Sequence, residues 1–204
     1  MEISVDCAVF ARLAKLAKLS DTGFLRSIWL ETTDGKMIAV ATDRKIMAIE
    51  FLGEHLGPDF SINAVVDDLL IAQCEIEKSF NSKITFTYNS ALDYTTATTT
   101  LGYTHVGNAA VTDTTDENVL SRWRSCLPDV LPAISNGGMF TKMDRLAVLA
   151  STAPSGTIIF PEFIDVDKPV VVNDVHDPNW LGVFISKPEG NDTPDPVTIP
   201  SWVK

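Results

Sequence analysis

The sequence is short of cysteine, of positive charge and of long apolar runs, and each shortage excludes something. Its cysteines, Cys7, Cys74 and Cys126, are odd in number and lack C-x-x-C spacing. Neither a disulfide framework nor a zinc site is indicated, so they read as small packed apolar residues. No apolar run approaches the ~20 residues that span a bilayer. Glu2 and Asp6 stand where a signal peptide would be basic, and Arg12, Lys15 and Lys18 interrupt the apolar residues that follow. The expectation is a soluble cytoplasmic protein that does not engage a membrane. Lys and Arg number 16 against 27 Asp and Glu, a net charge of −11. A chain so acidic is a poor general binder of nucleic acid, because attraction to phosphate drives such binding. Any DNA contact must come from a local basic face. Residues 1–57 and 118–204 could supply one. Residues 58–117, with Lys78 and Lys83 against a large excess of acid, look unsuited to it.

Enzyme signatures are missing too. There is no G-x-x-x-x-G-K-[ST], no G-x-G-x-x-G after a strand, no H-E-x-x-H and no G-x-S-x-G. His55, His105 and His176 are scattered and read as surface or satisfied residues. The pairs Asp165/Asp167 and Asp174/Asp177 could in principle do acid–base work or bind Mg²⁺, but they read better as solvated turn residues. With no nucleophile–base or metal constellation, the expectation is a non-enzymatic protein without cofactor or metal.

What the chain does contain is a globular share of apolar residues, 45% over 204 residues, enough for one or two domains. One order of elements occurs three times: a short strand, a helix, then further strands. In the first copy, Glu2–Asp6 alternates as a half-buried strand and Asp6 is a plausible helix cap. Phe10, Leu13, Leu16 and Ala17 then fall at helical spacing, with Arg12, Lys15 and Lys18 sharing another arc. Ser27–Thr33 and Met37–Phe51 read as strands around an Asp34-Gly35 turn. In the second copy, Asp59–Ala64 is a strand and Val65–Phe80 a helix with Leu69, Leu70, Ala72 and Ile76 as its core side. Lys83–Tyr88, the Thr-rich Asp93–Leu101 and Thr104–Val111 follow as strands. In the third copy, Gly138–Thr141 is a strand and Lys142–Thr152 a helix with Leu146, Val148 and Leu149 apolar. Thr157–Phe163, Pro169–Asp174 and Trp180–Ser186 are strands. The Pro-, Asp- and Thr-rich end reads as a mobile tail, although Trp202 is unusual for a solvated terminus.

Three stretches, in order, resemble the bacterial DNA polymerase III beta sliding-clamp family. Ala41-Thr42-Asp43-Arg44-Lys45-Ile46-Met47-Ala48 is similar to its A-T-D-G-x-R-L-A segment, with Arg44 where glycine is usual and Ile46 where arginine is usual. Trp123, Arg124, Leu127 and Pro128 match the linker F-P-D-Y-R-R-V-L-P. Lys168–Lys187 is similar to the family's C-terminal strands, with Ile185-Ser186-Lys187 in place of Met-Pro-Met. The length resembles shortened phage and prophage forms.

The resemblance implies an α+β, DNA-clamp-like fold of three β-α-β-β units, with helices on one face of antiparallel sheets. Residues 1–115 would be a full domain of two units (1–57 and 58–115), 116–138 a connector, 139–188 a half domain and 189–204 a mobile tail. It implies a replication processivity factor that encircles double-stranded DNA without reading sequence, and tethers DNA polymerase or other replication proteins through a short peptide. Arg12, Lys15, Lys18, Lys142 and Arg145 would face the DNA. Thr42, Arg44, Lys45, Ile46, Met47, Pro128, Val183 and Ile185 would form the peptide pocket. Three units per chain would close a homo-oligomeric ring from four chains. The acidic second helix, with Asp67, Asp68, Glu75 and Glu77, leaves open an alternative: a clamp-fold interaction module that binds or inhibits a replication partner without encircling DNA.

Overall fold

The computed structural model describes residues 2–20, 26–89, 91, 94–107, 123–125, 127, 138–140, 143–159, 169–185, 187–189 and 202. The first unit runs β1 (Glu2–Asp6), α1 (Cys7–Ala17), β2 (Ser27–Thr33), β3 (Lys36–Thr42) and β4 (Ile46–Glu54). The second runs β5 (Phe60–Val65), α2 (Asp68–Glu77), β6 (Lys83–Asn89), β7 (Tyr94–Thr99) and β8 (Thr104–Gly107). The third runs β9 (Gly138–Phe140), α3 (Met143–Thr152), β10 (Ile158–Ile159), β11 (Pro169–Asp174) and β12 (Trp180–Ile185), followed by β13 (Lys187–Glu189). The expected α+β order of elements is what the chain adopts.

Local chemistry sets these boundaries. Asp34 and Gly35 have φ of 51° and 75°, two successive left-handed residues that join β2 to β3 in register with the strand twist. Asp67 caps α2 by accepting from the N–H groups of Leu69 and Leu70, two donors that would otherwise be orphaned. Asn81, left-handed at φ 52°, ends the short 3-10 turn that follows α2.

Each of the first two units gives its opening strand to the other's sheet. β1 lies beside β6 in a four-stranded sheet of order β1-β6-β7-β8, and β5 lies beside β2. The second sheet has seven strands, β10-β11-β12-β4-β3-β2-β5, because β12 of the third unit pairs antiparallel with β4 of the first. In that junction Val183 stands opposite Met47 and Trp180 opposite Glu50. β9 pairs with β13.

Helix α1 packs between α2 and α3 and touches strands of both large sheets. Phe10, Leu13 and Leu16 on it are fully buried, and the Phe10 ring sits 5.4 Å from Phe86 of β6. Each such side chain contributes about 1.5–3 kcal/mol on burial. This inner core fills the space between helices and sheets. A second cluster lies on the opposite face of the seven-stranded sheet, built from Trp29, Ile38, Val40, Met47, Ile49, Val171, Leu181 and Val183 with Trp123 over them.

Several expectations need correcting. The long strand expected over Met37–Phe51 is two strands, because Asp43–Lys45 turn the chain back on itself between β3 and β4. On α2 the buried residues are Leu70, Cys74 and Glu77; Leu69 and Ile76, expected in the core, are 69% and 62% exposed, and Ala72 is exposed as well. Of the strand expected over Thr157–Phe163, Ile158–Ile159 is strand and residues 160–163 lie outside the described residues. Trp202, expected in a mobile tail, is packed on the body of its own chain.

Candidate functional site

The helix layer holds most of the cations expected to face DNA. Arg12 leaves α1 sideways: Nη2 lies 2.6 Å from Glu50 Oε1 on β4, and Nε donates to the Thr152 carbonyl at the end of α3. Its side chain is 20% exposed, so it is committed to joining three elements. Lys15 lies 3.9 Å from Glu75 and Lys18 lies 2.7 Å from Asp68, both on α2. These two pairs are exposed, and such pairs contribute little, about 0–1 kcal/mol each. Arg145 of α3 donates from Nε to Asp43 Oδ2 at 2.9 Å. Lys142 lies outside the described residues. The four described cations therefore each face a carboxylate. Glu50 itself is pushed up to about 7 by burial, against the pull of Arg12, with Asp177 and Asp6 adding to the rise. Its Oε2 is buried with no hydrogen-bond partner, and Glu50 lines an open cleft of about 170 Å³ together with Asp6, Lys83 and Asp177.

The residues expected to form a peptide pocket divide between two faces. Met47 and Val183 meet side by side on the outer sheet face. Ile46 points the other way, into the inner core at 1% exposure, because strand side chains alternate. Thr42 closes the β3–β4 turn by donating to the Ile46 carbonyl at 2.7 Å and accepting from Arg44 N–H at 3.0 Å. Arg44 and Lys45 are exposed at its tip. Pro128 lies outside the described residues, as does the side chain of Ile185.

The outer face around Met47 and Val183 is not open. Trp123 lies over it at 1% exposure, with Leu127 and Trp202 packed at its margins. Arg124 holds this segment down: its guanidinium stacks 4.2 Å from the Trp123 ring centroid and pairs with Glu31 of β2 at 2.6 Å. Glu31 is fixed in turn by Trp29 Nε1 at 2.9 Å. Trp202 stacks on Phe51 at 5.6 Å and donates from Nε1 to the Pro178 carbonyl.

No protein-family model matches the sequence, and no curated protein does. Solved structures do match. A DNA polymerase sliding clamp from Pseudomonas aeruginosa aligns with a TM-score of 0.64 at 11% identity, over 91% of this chain and 66% of that one. This is the sliding-clamp fold. DNA polymerase III beta subunit from Thermotoga maritima aligns at a TM-score of 0.56 and 12% identity, over 91% of this chain and 65% of that one. The Caulobacter (C. crescentus) beta sliding clamp gives 0.56 and 13% over the same shares. The chain thus spans just under two thirds of the length of the sliding clamps it matches.

Within the sliding-clamp fold, one residue that sequence reasoning passed over organises the turn between β3 and β4. Asp43 is buried, accepts from Lys45 and Ile46 N–H at 2.8 and 2.9 Å, and receives Arg145. An Asp followed by two exposed polar residues and an apolar strand is a local turn signal, and it was available in the sequence. Arg44 has φ of 77°, the left-handed region, at the position where the resembling sliding-clamp motif carries glycine. Among the described residues no group of three or more His, Cys, Asp or Glu is placed to hold a metal, and no helix is long and apolar enough to cross a membrane.

Proposed function

We propose that this chain is a sliding-clamp-like processivity factor of DNA replication, which assembles into a homo-oligomeric ring around duplex DNA and tethers a polymerase or another replication protein. The observation that carries the reading is the layering. Three helices lie in one layer with α1 between the other two, and sheets that run on from one unit to the next back them. A ring of such units presents helices to its hole and sheets to the outside.

Lys15 and Lys18 would be the main phosphate contacts, with Lys142 and Arg145 as further contributors. Exposed ion pairs are weak enough for a phosphate to replace the carboxylate. Such contacts position the protein without reading bases. A topological link needs little affinity, so an acidic chain with locally balanced helices is compatible with the role. Partner peptides would approach the outer face near Met47 and Val183, bordered by Thr42, Arg44 and Lys45, where Trp123 must be displaced or extended by the incoming segment. With three units per chain, four chains would complete the ring.

The test is retention on nicked circular DNA during gel filtration at moderate salt, against the same DNA linearised, with and without a clamp loader. Retention on the circle and loss from linear ends is expected. Absence from both, even with a loader, would overturn the encircling role and leave a clamp-fold protein that binds its replication partner off DNA.

A further inference from the structure

Trp202 differs from the other tryptophans of the chain. Trp29, Trp123 and Trp180 are buried, each at 1% exposure or less. Trp202 is partly exposed and lies at the margin of the outer-face cluster. Its ring stacks on Phe51 at 5.6 Å, and its Nε1 donates to the Pro178 carbonyl at 3.1 Å. One ring face on an apolar surface and one N–H on an acceptor is how an aromatic anchor sits in a protein–protein contact. Trp123, by contrast, is part of the body, because Arg124 beside it is tied to Glu31. Trp202 can leave without opening a core.

The place it sits on is built without it. Met47, Ile49 and Phe51 alternate along β4 and share the outer face. Phe51 N–H donates to the Asn179 carbonyl at 2.7 Å, so one backbone contact sets the ring against the neighbouring Pro178 carbonyl. The turn that carries Pro178 is fixed by its own carboxylates. Asp174 Oδ1 accepts from the N–H groups of His176 and Asp177 at 2.7 and 2.9 Å, and Asp177 Oδ1 accepts from Asn179 N–H at 2.9 Å. A ring and an acceptor held in this way need no ordering when an indole arrives.

We infer that Phe51 and the Pro178 carbonyl form a seat for an indole side chain, filled by Trp202 in the free chain and taken by the tryptophan of an incoming peptide segment. Trp202 itself shows the chemistry the seat accepts. The inference rests on the proposed peptide docking for its use and narrows the partner class. From Met47 to Phe51 is roughly 13 Å along the strand. The fitting partner is an extended segment whose tryptophan stands about four residues from the side chain that reaches Met47 and Val183. Trp202 is then a competitor within the chain, and a partner binds more weakly by the factor to which the seat is already filled.

The probe is a fluorescein-labelled peptide of residues 196–204 of this sequence, added to the full chain and read by anisotropy. The Trp202→Ala chain is expected to bind it about tenfold more tightly than the wild type, whose seat is occupied. The same peptide with alanine for its tryptophan should bind neither chain. Adding Phe51→Leu to Trp202→Ala, which keeps an apolar side chain but removes the stack, should weaken binding several-fold. Equal binding to both chains, binding to neither, or indifference to the peptide's tryptophan would overturn the proposal. A second measurement uses only the wild-type fold: in the chain labelled with 5-fluorotryptophan, the ¹⁹F resonance that Trp202→Phe removes should move toward its unfolded position as unlabelled peptide is added. A resonance that stays in place at saturating peptide would also overturn it. Neither measurement uses DNA or a replication protein, so a chain that fails to encircle DNA can still show the seat, and loss of the seat leaves the ring reading standing.

Discussion

One guanidinium joins three elements: Arg12 of α1 meets Glu50 of β4 at 2.6 Å while its Nε donates to the carbonyl of Thr152 on α3. Because β4 is also the strand on which the third unit is docked, this ion pair sits at the junction of the first and third units.

Glu50 makes that junction sensitive to pH. Burial raises its carboxyl from 4.5 to about 7, Arg12 notwithstanding. The folded state therefore holds this proton more tightly than the unfolded state. The stability it contributes is complete below pH ~4.5 and is lost as pH rises through about 7. The span corresponds to about 3 kcal/mol as an upper estimate. Glu50→Gln keeps an acceptor for Arg12 and removes the titration. Urea midpoints of the two proteins from pH 5 to 8 should diverge, the wild type falling more steeply; parallel curves would refute the assignment.

Arg44 carries a backbone penalty at the tip of the β3–β4 turn. A non-glycine residue in the left-handed region costs roughly 1–2 kcal/mol. Arg44→Gly and Arg44→Ala both remove the side chain, so their difference isolates the backbone. Glycine should be the more stable by about 1 kcal/mol in denaturant unfolding. Equal stability would mean the turn relaxes around alanine.

Gly182 admits close packing at the centre of β12. A Cβ there would lie 2.6 Å from Trp180 Cη2 and 2.7 Å from Val172 Cγ2, with Leu149 of α3 behind. Gly182→Ala should cost about 1–3 kcal/mol through overpacking, read as a lowered melting temperature. An unchanged melting temperature would show that the third unit shifts freely against its helix.

Much of the strand order was legible in advance, and the reasons are local. Ile3 and Val5 alternate, Asp34-Gly35 announces its turn, and β11 is built on the β-branched run Val170-Val171-Val172. What escaped was set at a distance. Helix α2 has apolar residues around much of its circumference, so spacing alone could not say which would be buried. The choice fell to Glu77, whose hydrogen bonds come from Gln73 within the helix and from Ser82, Thr99 and Leu101 outside it. Burial alone would raise the Glu77 carboxyl; the hydrogen bonds hold it below the usual range. Arg12 looked like a free cation on a helical arc because its partner Glu50 is remote in sequence. Ile46 looked like a neighbour of Met47 in a pocket, until strand alternation sent the two to opposite faces.

The exchange of opening strands gives the molecule a further property. Because β1 belongs to the sheet of the second unit and β5 to that of the first, neither unit has a complete sheet of its own. Cutting the chain between them would strip one sheet of an edge and leave the other's strand without neighbours. Residues 2–107 must then gain their order together, as one cooperative body, and a partly made chain could bury neither half before β5 and β6 have been synthesised. A repeated order of elements is thereby indivisible.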